Sequence, residues 1–350
     1  MSPTSEQLKD IAQSWPMPSR PRPIIIIGAG GIVRAAHLPA YRAAGLPVIG
    51  VFDVDSARAT ELARDFGVPR AFATLDEALA TDESVVFDLA LPPLALPDIL
   101  PRIPTGRAVL VQKPFGIDLA AATALRDICR ERKFIAAVNF QLRFAPNMLV
   151  MRDLLARRLL GRIVDIEVRV CVNTPWRNWR FLRGLPRMEI ALHSIHYLDL
   201  LRSVFGEPVD VVARTFGDAE TPDLHSTRTS AILTFSDKAR GVVTTHHAHR
   251  FGRRFQASDL RVEGTNGALI AKMGVNLNYP SGEPDELAVA FDRQWNDIPL
   301  CGSWFPEGFA GPMQNLQRFA CGEDAVLHTG VEDAWRTMEL VETCYRSSGL

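Results

Sequence analysis

Long apolar runs and long runs of like charge are both missing from this 350-residue sequence. No segment approaches the roughly 18 apolar residues that a membrane span requires, and residues 1–22 hold charges and prolines where a secretion signal would be apolar. Lys and Arg number 39 against 40 Asp and Glu, so no basic surface for nucleic acid is indicated. We therefore expect a cytoplasmic protein that binds neither membranes nor nucleic acid.

Cysteine is also scarce, and no C-x-x-C pair occurs. The cysteines are odd in number and widely scattered, which is typical of reduced thiols and not of a disulfide framework. They are Cys129, Cys171, Cys301, Cys321 and Cys344.

Apolar material is plentiful, with 47% hydrophobic residues against 23% charged ones, and the length exceeds that of a single core. Short apolar runs alternate with stretches of helical spacing up to about residue 140. Such runs are typical of strands buried on both faces of a parallel sheet. After a lead-in over residues 1–22, we predict a doubly wound Rossmann domain over residues 23–140.

The pattern changes after residue 140, where longer segments alternate apolar and polar residues with a period of two. This predicts an α+β domain over residues 141–350, built on a large, open and mostly antiparallel sheet. The closing helix, residues 331–347, could pack back on the Rossmann domain. One sheet face would lie against helices and the other would be open. A homodimer or homotetramer that pairs through this sheet would cover the open face.

Glycines cluster where the first apolar strand ends and a helix is predicted to begin. Gly28, Gly30 and Gly31 partly match the G-x-G-x-x-G pattern, with Val33 in place of the third glycine. Without Cβ atoms the backbone can turn tightly and offer its N–H groups, at a helix N-terminus, to a pyrophosphate. The pattern indicates a dinucleotide-binding turn.

Asp53 follows the second apolar strand, where a carboxylate accepts hydrogen bonds from the adenosine ribose and repels a 2′-phosphate. We therefore predict NAD as the cofactor in preference to NADP, although Arg58 nearby favours the phosphate. The alternative is that the glycines make only a tight turn and that Asp53 caps the following helix.

Lys113 follows the apolar strand "AVLV", at the edge where open α/β sheets bind their ligands. Burial beside a cofactor would lower the pKa of its amine, which could then share in proton transfer with a substrate hydroxyl. Pro114 would fix the turn, with a cis bond as one option. The alternative is a solvated surface lysine.

A predicted helix near residues 187–206 carries Glu189, His193, His196 and Asp199. At 3.6 residues per turn, the first three share one face and form a candidate acid/base cluster. The set also resembles metal ligands, but no further ligand group is evident and hydride transfer needs no metal, so we expect no metal. Either histidine could instead be a packing residue.

Two other segments hold candidate residues. The segment before this helix offers Asn173, Trp176, Arg177 and Trp179, whose aromatic faces and polar groups suit a sugar, although an interdomain loop fits equally well. The later segment "TTHHAHR" holds His246, His247 and His249, but alternate residues of a strand face opposite sides. We predict sheet or interface residues there.

Taken together, "GAGGIVRAAHLPAY", "VFDVD", "LALPP", "VQKPFG", "NFQLRFAPN", "HSIHYLDLLRSVFGEP" and "VEGTNGALI" resemble the Gfo/Idh/MocA oxidoreductase family over nearly the full length. The resemblance implies that Lys113 matches the lysine of the family's E-K-P motif and that His196, with Asp199, matches its catalytic histidine. It further implies cofactor contacts for Ile32, Leu91, Pro92, Gln112 and Lys113. Substrate contacts are expected for Lys113, Asn139, Arg143, His193 and His196.

The chain departs from the family pattern at two positions. Gln112 replaces the glutamate before the lysine, and Leu192 replaces the acid four residues before His196. The usual Asp–His pair is therefore missing. Glu189 or His193, one turn away, is a candidate for the group that orients His196.

The resemblance implies an NAD-dependent dehydrogenase that oxidises a hydroxyl of a sugar or polyol. Our narrower expectation is an aldose, such as D-apiose or xylose, oxidised at C1 to the lactone. One alternative is a glycosidase-like or lyase-like enzyme that uses NAD transiently. Another is an NAD-binding regulator without catalysis, which the changes at Gln112 and Leu192 favour.

Overall fold

The computed structural model of the chain describes residues 10–82, 84–176, 182–236, 238–278 and 281–350. The chain divides into two compact units. The Rossmann unit comprises Ser14–Phe144 and Phe305–Met338. The second unit comprises Ala145–Trp304, Glu339–Leu350 and the described residues that precede Ser14. The first part of the predicted lead-in lies outside the described residues.

A six-stranded, fully parallel sheet forms the centre of the Rossmann unit, in the order β3-β2-β1-β4-β5-β6. The four isoleucines of the central strand β1 are buried, as their apolar run predicts. The strands are β1 (Ile24–Ile27), β2 (Val48–Phe52), β3 (Arg70–Ala71), β4 (Val86–Leu89), β5 (Ala108–Val111) and β6 (Ile135–Val138).

Helices alternate with these strands. The first begins with a π-helical turn, Val33–His37, that continues directly into α1. The helices are α1 (Leu38–Ala44), α2 (Ser56–Phe66), α3 (Leu75–Leu79), α4 (Leu96–Ile99) and α5 (Leu119–Glu131). A later helix, α8 (Ala310–Ala320), also packs on this unit, where Met313 and Leu316 join the core beside Leu110 and Ala137.

An eight-stranded sheet forms the second unit, in the order β14-β13-β12-β11-β7-β10-β9-β8. Its neighbouring strands are antiparallel except β7 and β10, which run parallel. The strands are β7 (Ile163–Cys171), β8 (Asp210–Phe216), β9 (Arg228–Thr234), β10 (Arg240–His246), β11 (Ala257–Gly264), β12 (Ala268–Lys272), β13 (Glu286–Phe291) and β14 (Gln294–Asp297).

The two faces of this sheet differ in exposure, as the alternating pattern predicts. On paired strands β8 and β9, Ala213 and Ala231 are buried while their neighbours Val212 and Ile232 are half exposed. The helices of this unit are α6 (Pro146–Ala156), α7 (Ile195–Phe205) and the part of α9 (Val331–Ser347) from Glu339 onward. The predicted fold class is confirmed.

Among the described residues, no helix combines the length and the apolar character needed to cross a bilayer.

Candidate active site

The glycine turn after β1 lies at the carboxyl edge of the parallel sheet. Gly28 has a φ of +109°, and a Cβ there would lie 2.5 Å from the carbonyl oxygen of Ala90, so this position requires glycine. A Cβ at Gly30 or Gly31 would meet no atom of the described chain within 4 Å. The fold therefore needs the first glycine, whereas the other two leave the main chain accessible to a ligand.

Asp53 is buried directly beside this turn. Its Oδ2 accepts a hydrogen bond from the N–H of Ala29 at 2.7 Å, and its Oδ1 accepts one from the N–H of Asp55 at 2.9 Å. The helix cap is Asp55, whose carboxylate accepts from the N–H of Arg58. The alternative that Asp53 caps α2 is thus wrong. The Arg58 guanidinium lies 3.5 Å from Asp53 Oδ1.

Other predicted cofactor residues follow the ends of neighbouring strands at the same edge. Ile32, just after the turn, is 37% exposed. Leu91 and Pro92 come after β4, and Leu91 Cδ2 lies 3.4 Å from where a Cβ of Gly28 would be. Carboxyl ends of parallel strands meet at one edge, so these residues lie at the edge where open α/β sheets bind their ligands. Their contact with a cofactor stays a prediction.

Lys113 is half-buried at the end of β5. Loss of solvent around its ammonium group lowers the pKa of Lys113 to about 8. The Lys113–Pro114 peptide bond is cis. A lysine with this pKa holds a substantial neutral fraction in weakly basic solution, so its amine can accept a proton.

Gln112 ties Lys113 to a buried polar network that the sequence analysis missed. The Oε1 of Gln112 accepts from the N–H of Lys113 at 2.8 Å, and its Nε2 lies 3.0 Å from Nε2 of His37. On the other side of the ring, His37 Nδ1 lies 2.7 Å from Asp88 Oδ2, which also accepts from the hydroxyl of Tyr41. Burial, followed by the Asp88 charge, raises the pKa of Tyr41 well above its usual value.

The residues predicted to contact substrate in the Rossmann unit are buried. Asn139 is fully buried, with its Nδ2 3.4 Å from His37 Nε2. Arg143 donates to the carbonyl of His328 at 2.6 Å and pairs with Asp333 at 2.6 Å. These contacts give both residues a supporting role, and the substrate contact stays a prediction.

In the second unit, Glu189 lies fully buried at the start of the helix that leads into α7. Both of its oxygens accept from the hydroxyl of Ser194, at 2.9 and 3.0 Å, and Oε2 also accepts from Thr229. Its Oε1 lies 3.2 Å from Nε2 of His247. Burial alone would raise the pKa of Glu189. The hydrogen bonds from His247, Thr229 and Ser194 outweigh burial and hold the pKa of Glu189 below its usual value, so the carboxylate is ionised.

His247 and His193 complete this group, which corrects the sequence analysis at two points. The His193 and His247 rings lie 4.1 Å apart between centroids, in an edge-to-face arrangement. His247 directly follows β10 and is also a member of this cluster, which the sequence analysis did not predict. A further ligand group does exist, because one nitrogen or oxygen from each of Glu189, His193 and His247 lies within 4.8 Å of the others.

His196, in contrast, packs its ring against Trp304, with centroids 5.2 Å apart. The expected alignment of residues 189, 193 and 196 assumed a regular α-helix. The segment Ile190–Ser194 is instead a π-helical turn, and this change of hydrogen-bond pattern alters which side chains share a face. Asp199 is buried, and Leu192 packs against an apolar cluster. The carboxylate of Glu189, a candidate for orienting His196, is hydrogen-bonded to His247. Catalysis by His196 stays a prediction.

Trp176 is buried in that apolar cluster, beside Leu182, Met188 and Leu224. Its ring meets His247 edge to face at 5.0 Å between centroids. Asn173 is exposed and forms an isolated bridge with Ala248. Arg177 and Trp179 lie outside the described residues. Sugar binding by this segment stays a prediction.

His246 and His249 are not part of the group formed by Glu189, His193 and His247. His246 is half-buried on the strand face opposite to His247, and its ring lies 6.4 Å from that of His249. Burial, followed by the charge of Arg228, lowers the pKa of His246. Val243 and Thr245 face inward on β10, and His247 continues this alternation directly after the strand, which was the signal that could have identified it.

Two family models match the chain. One, described as an oxidoreductase family with an NAD-binding Rossmann fold, matches residues 23–140. The other, the GFO/IDH/MocA C-terminal domain, matches residues 148–270. The parallel sheet and the match to this family model identify the class of protein as an oxidoreductase with an NAD-binding Rossmann domain. The chain belongs to the Gfo/Idh/MocA oxidoreductase family, which confirms the resemblance.

Individual relatives are distant. The chain is 25% identical over 337 residues to a D-apiose dehydrogenase of Paraburkholderia graminis, covering 92% of this chain and 86% of that protein. It is 27% identical over 209 residues to an uncharacterized oxidoreductase of Synechocystis, covering 57% of this chain and 56% of that protein. A solved oxidoreductase from Agrobacterium radiobacter, in complex with NAD+, L-tartaric acid and magnesium, has a TM-score of 0.77 at 19% identity, covering 94% and 97%. That likeness shows the fold alone.

Proposed function

We propose that this protein is an NAD-dependent dehydrogenase that oxidises a hydroxyl group of a sugar or polyol. The observation that carries the proposal is Lys113, a residue that follows β5 at the carboxyl edge of the Rossmann sheet and whose amine has a pKa lowered to about 8. Family membership supplies the reaction class.

The chemistry divides between cofactor and protein. When bound, NAD supplies the acceptor for the hydride that leaves the carbon atom. The neutral amine of Lys113 accepts the proton of the hydroxyl group, so that a carbonyl forms. His196 is a second candidate for proton transfer, on the family resemblance alone.

NAD is favoured over NADP by Asp53, whose carboxylate is fixed beside the glycine turn. A 2′-phosphate near this charge would be repelled, although Arg58 offsets part of that repulsion. Open space beside Gly30 and Gly31 leaves main-chain N–H groups for the pyrophosphate.

The proposed substrate is an aldose, with a pentose such as D-apiose or xylose oxidised at C1 to the lactone. The similarity to a D-apiose dehydrogenase over 92% of the chain supports this choice. Trp176, beside a buried carboxylate and two imidazoles, supplies an aromatic group of the kind that packs on sugar C–H faces.

A homodimer or homotetramer that pairs through the eight-stranded sheet is part of the proposal. The outward face of this sheet exposes Val212, Phe216 and Ile232, at 50%, 55% and 51%. Covering these apolar side chains would remove them from water. Sedimentation of Ile232→Lys against wild type tests the assignment, because a charge there should separate the subunits.

The deciding experiment is a screen for NAD reduction over aldoses, uronates, inositols and glycosides, repeated with Lys113→Met. We expect NADH formation with an aldose and its loss in the variant. Cleavage of a glycoside without NADH accumulation would instead identify a glycosidase-like enzyme. Tight NAD binding without turnover of any compound would identify a regulator.

A further inference from the structure

Two separate parts of the second unit bring three metal-binding side chains together. Glu189 and His193 lie on the first turns of the helix that leads into α7, and His247 directly follows β10. One ligand atom from each lies within 4.8 Å of the other two. The proton transfer proposed above is assigned to Lys113 and His196, so the arrangement of these three donors is not explained by it.

We propose that Glu189, His193 and His247 bind a divalent transition metal ion of the Zn²⁺ class. Two imidazoles and one carboxylate form a ligand set that zinc proteins use with a fourth position left for water or a substrate oxygen. Imidazole ligands select transition metals, whereas Mg²⁺ and Ca²⁺ prefer oxygen ligands throughout.

The distance between two of the donor atoms fits such an ion. His247 Nε2 lies 3.2 Å from Glu189 Oε1. Two ligands at about 2.0–2.1 Å from a tetrahedral ion are separated by roughly 3.3 Å. In the structure a proton joins these two atoms, and a metal ion would take the place of that proton. The edge-to-face arrangement of the two imidazole rings brings His193 to the same place.

The hydrogen bonds around the cluster are those that orient metal ligands. Nδ1 of His247 lies 2.7 Å from the hydroxyl oxygen of Thr174, which can accept the Nδ1 proton and leave Nε2 for the metal. Ser194 and Thr229 donate to the carboxylate of Glu189. Such outer partners fix the tautomer of a ligating histidine and the direction of a ligating carboxylate.

An apolar cover lies beside the cluster. The Trp176 ring contacts both imidazole rings, at 5.0 Å from His247 and 6.4 Å from His193 between centroids. Leu182, Met188 and Leu224 pack with Trp176. An apolar surround limits solvent access and strengthens the attraction between a cation and the carboxylate. The competing explanation is a carboxylate–imidazole hydrogen bond that only supports the fold, and it predicts no uptake of metal.

Titration of the metal-free full-length protein with Co²⁺ and Zn²⁺ tests the proposal. We expect one Co²⁺ per chain, with the visible absorption bands of a site that has nitrogen and oxygen ligands, displaced by one equivalent of Zn²⁺. Cys301 and Cys321 are exposed, so the titration is run with both changed to Ser, which removes thiolate binding. NADH binding is measured in parallel as an independent check on the Rossmann unit.

The variants are chosen as matched pairs. His247→Ala should abolish this binding, whereas His246→Ala, on the opposite face of the same strand, should leave it unchanged. Thr174→Val keeps the side-chain shape and removes the outer hydrogen bond, so it should weaken Co²⁺ binding by about 10- to 100-fold.

Two results would overturn the metal site. One is wild-type protein that takes up neither Co²⁺ nor Zn²⁺ in defined stoichiometry. The other is Thr174→Val protein that binds Co²⁺ as tightly as the His246→Ala control. If His247→Ala fails to fold, the Thr174→Val comparison decides. Loss of metal binding with NADH binding intact leaves the proposed dehydrogenase untouched.

Discussion

Nε2 of Gln112 lies 3.0 Å from Nε2 of His37, while Oε1 of the same side chain accepts the N–H of Lys113. Asp88 binds the other ring nitrogen, so Nδ1 of His37 carries the proton and Nε2 is an acceptor. The amide of Gln112 both donates and accepts, so one side chain satisfies His37 and Lys113 together. The amide that replaces the family's glutamate is therefore suited to this network.

Gln112→Glu should move the pH dependence of NAD reduction to higher pH. The carboxylate still accepts from the main chain of Lys113, but its charge favours the ammonium form and raises the pKa of that lysine. We expect the rising limb of the pH–rate profile to move up by roughly one pH unit. Gln112→Met, which adds no charge, should lower the rate without moving the limb. Coincident profiles for Gln112→Glu and wild type would contradict this role.

The rate of sugar oxidation should increase with rising pH, with an apparent pKa of about 8. This is the value to which burial lowers the pKa of Lys113. The direction follows because the neutral amine is the form that accepts a proton. Lys113→Met should lower kcat by about 10²- to 10⁴-fold and leave NADH binding in place. The matched variant at exposed Lys133 should retain full activity. A wild-type rate that is flat between pH 6 and about 9 would exclude Lys113 as the base.

Substitutions at two glycines of the turn should affect different properties, namely stability at Gly28 and NADH binding at Gly31. Gly28→Ala forces a Cβ against the Ala90 carbonyl at a positive φ, so we expect a lower Tm. Gly31→Ala meets no protein atom and should leave Tm unchanged or slightly higher. If its backbone faces a pyrophosphate, Gly31→Ala should weaken NADH binding by roughly tenfold, about 1.4 kcal/mol. Calorimetry on both variants measures this, and unchanged NADH affinity in Gly31→Ala would count against the turn as the phosphate site.

The sequence was sufficient for both sheets because their signals are local. The continuous isoleucines of β1 predict burial on two faces, and the alternation of Ala213 with its outward neighbours predicts one open face. Helix α8 was harder to place, because nothing in its own residues tells which core Met313 joins.

The candidate site was predicted only in part, because its contacts join distant positions. Gly28 and Lys113 stand at strand ends, which the sequence reveals. His37 and Asp88 are separated by 51 positions, and His247 by 58 from Glu189, so only folding brings them together. The prediction that residues 189, 193 and 196 share a face assumed a regular α-helix. The π-helical turn Ile190–Ser194 inserts an extra residue into that turn, which a regular repeat in the sequence cannot show.

Arg143 tests whether a predicted substrate residue is in fact a supporting one. Arg143→Met removes the pair with Asp333 and the bond to the His328 carbonyl, so the free energy of unfolding measured in urea should fall by about 1.5–3 kcal/mol. KM for the substrate found in the screen should stay unchanged. Arg20→Met, at an exposed position, is the control. A raised KM at unchanged stability would restore the substrate role.

Asp53 should decide the choice between NADH and NADPH. In Asp53→Asn the amide oxygen can still accept the N–H of Ala29, but the negative charge beside the turn is lost. Arg58, 3.5 Å from that carboxylate and 3.3 Å from that of Asp55, then loses one of two charged partners and can pair more readily with a 2′-phosphate. Removing one negative charge that lies several ångströms from the 2′-phosphate is worth about 1–2 kcal/mol near a protein surface. The ratio of the affinity for NADPH to that for NADH should therefore rise roughly tenfold or more. Asp76→Asn, on α3, removes a carboxylate that pairs with Arg102 and should leave the ratio unchanged. Equal ratios in Asp53→Asn and wild type, measured by fluorescence titration, would show that Asp53 supports the turn without discriminating between the cofactors.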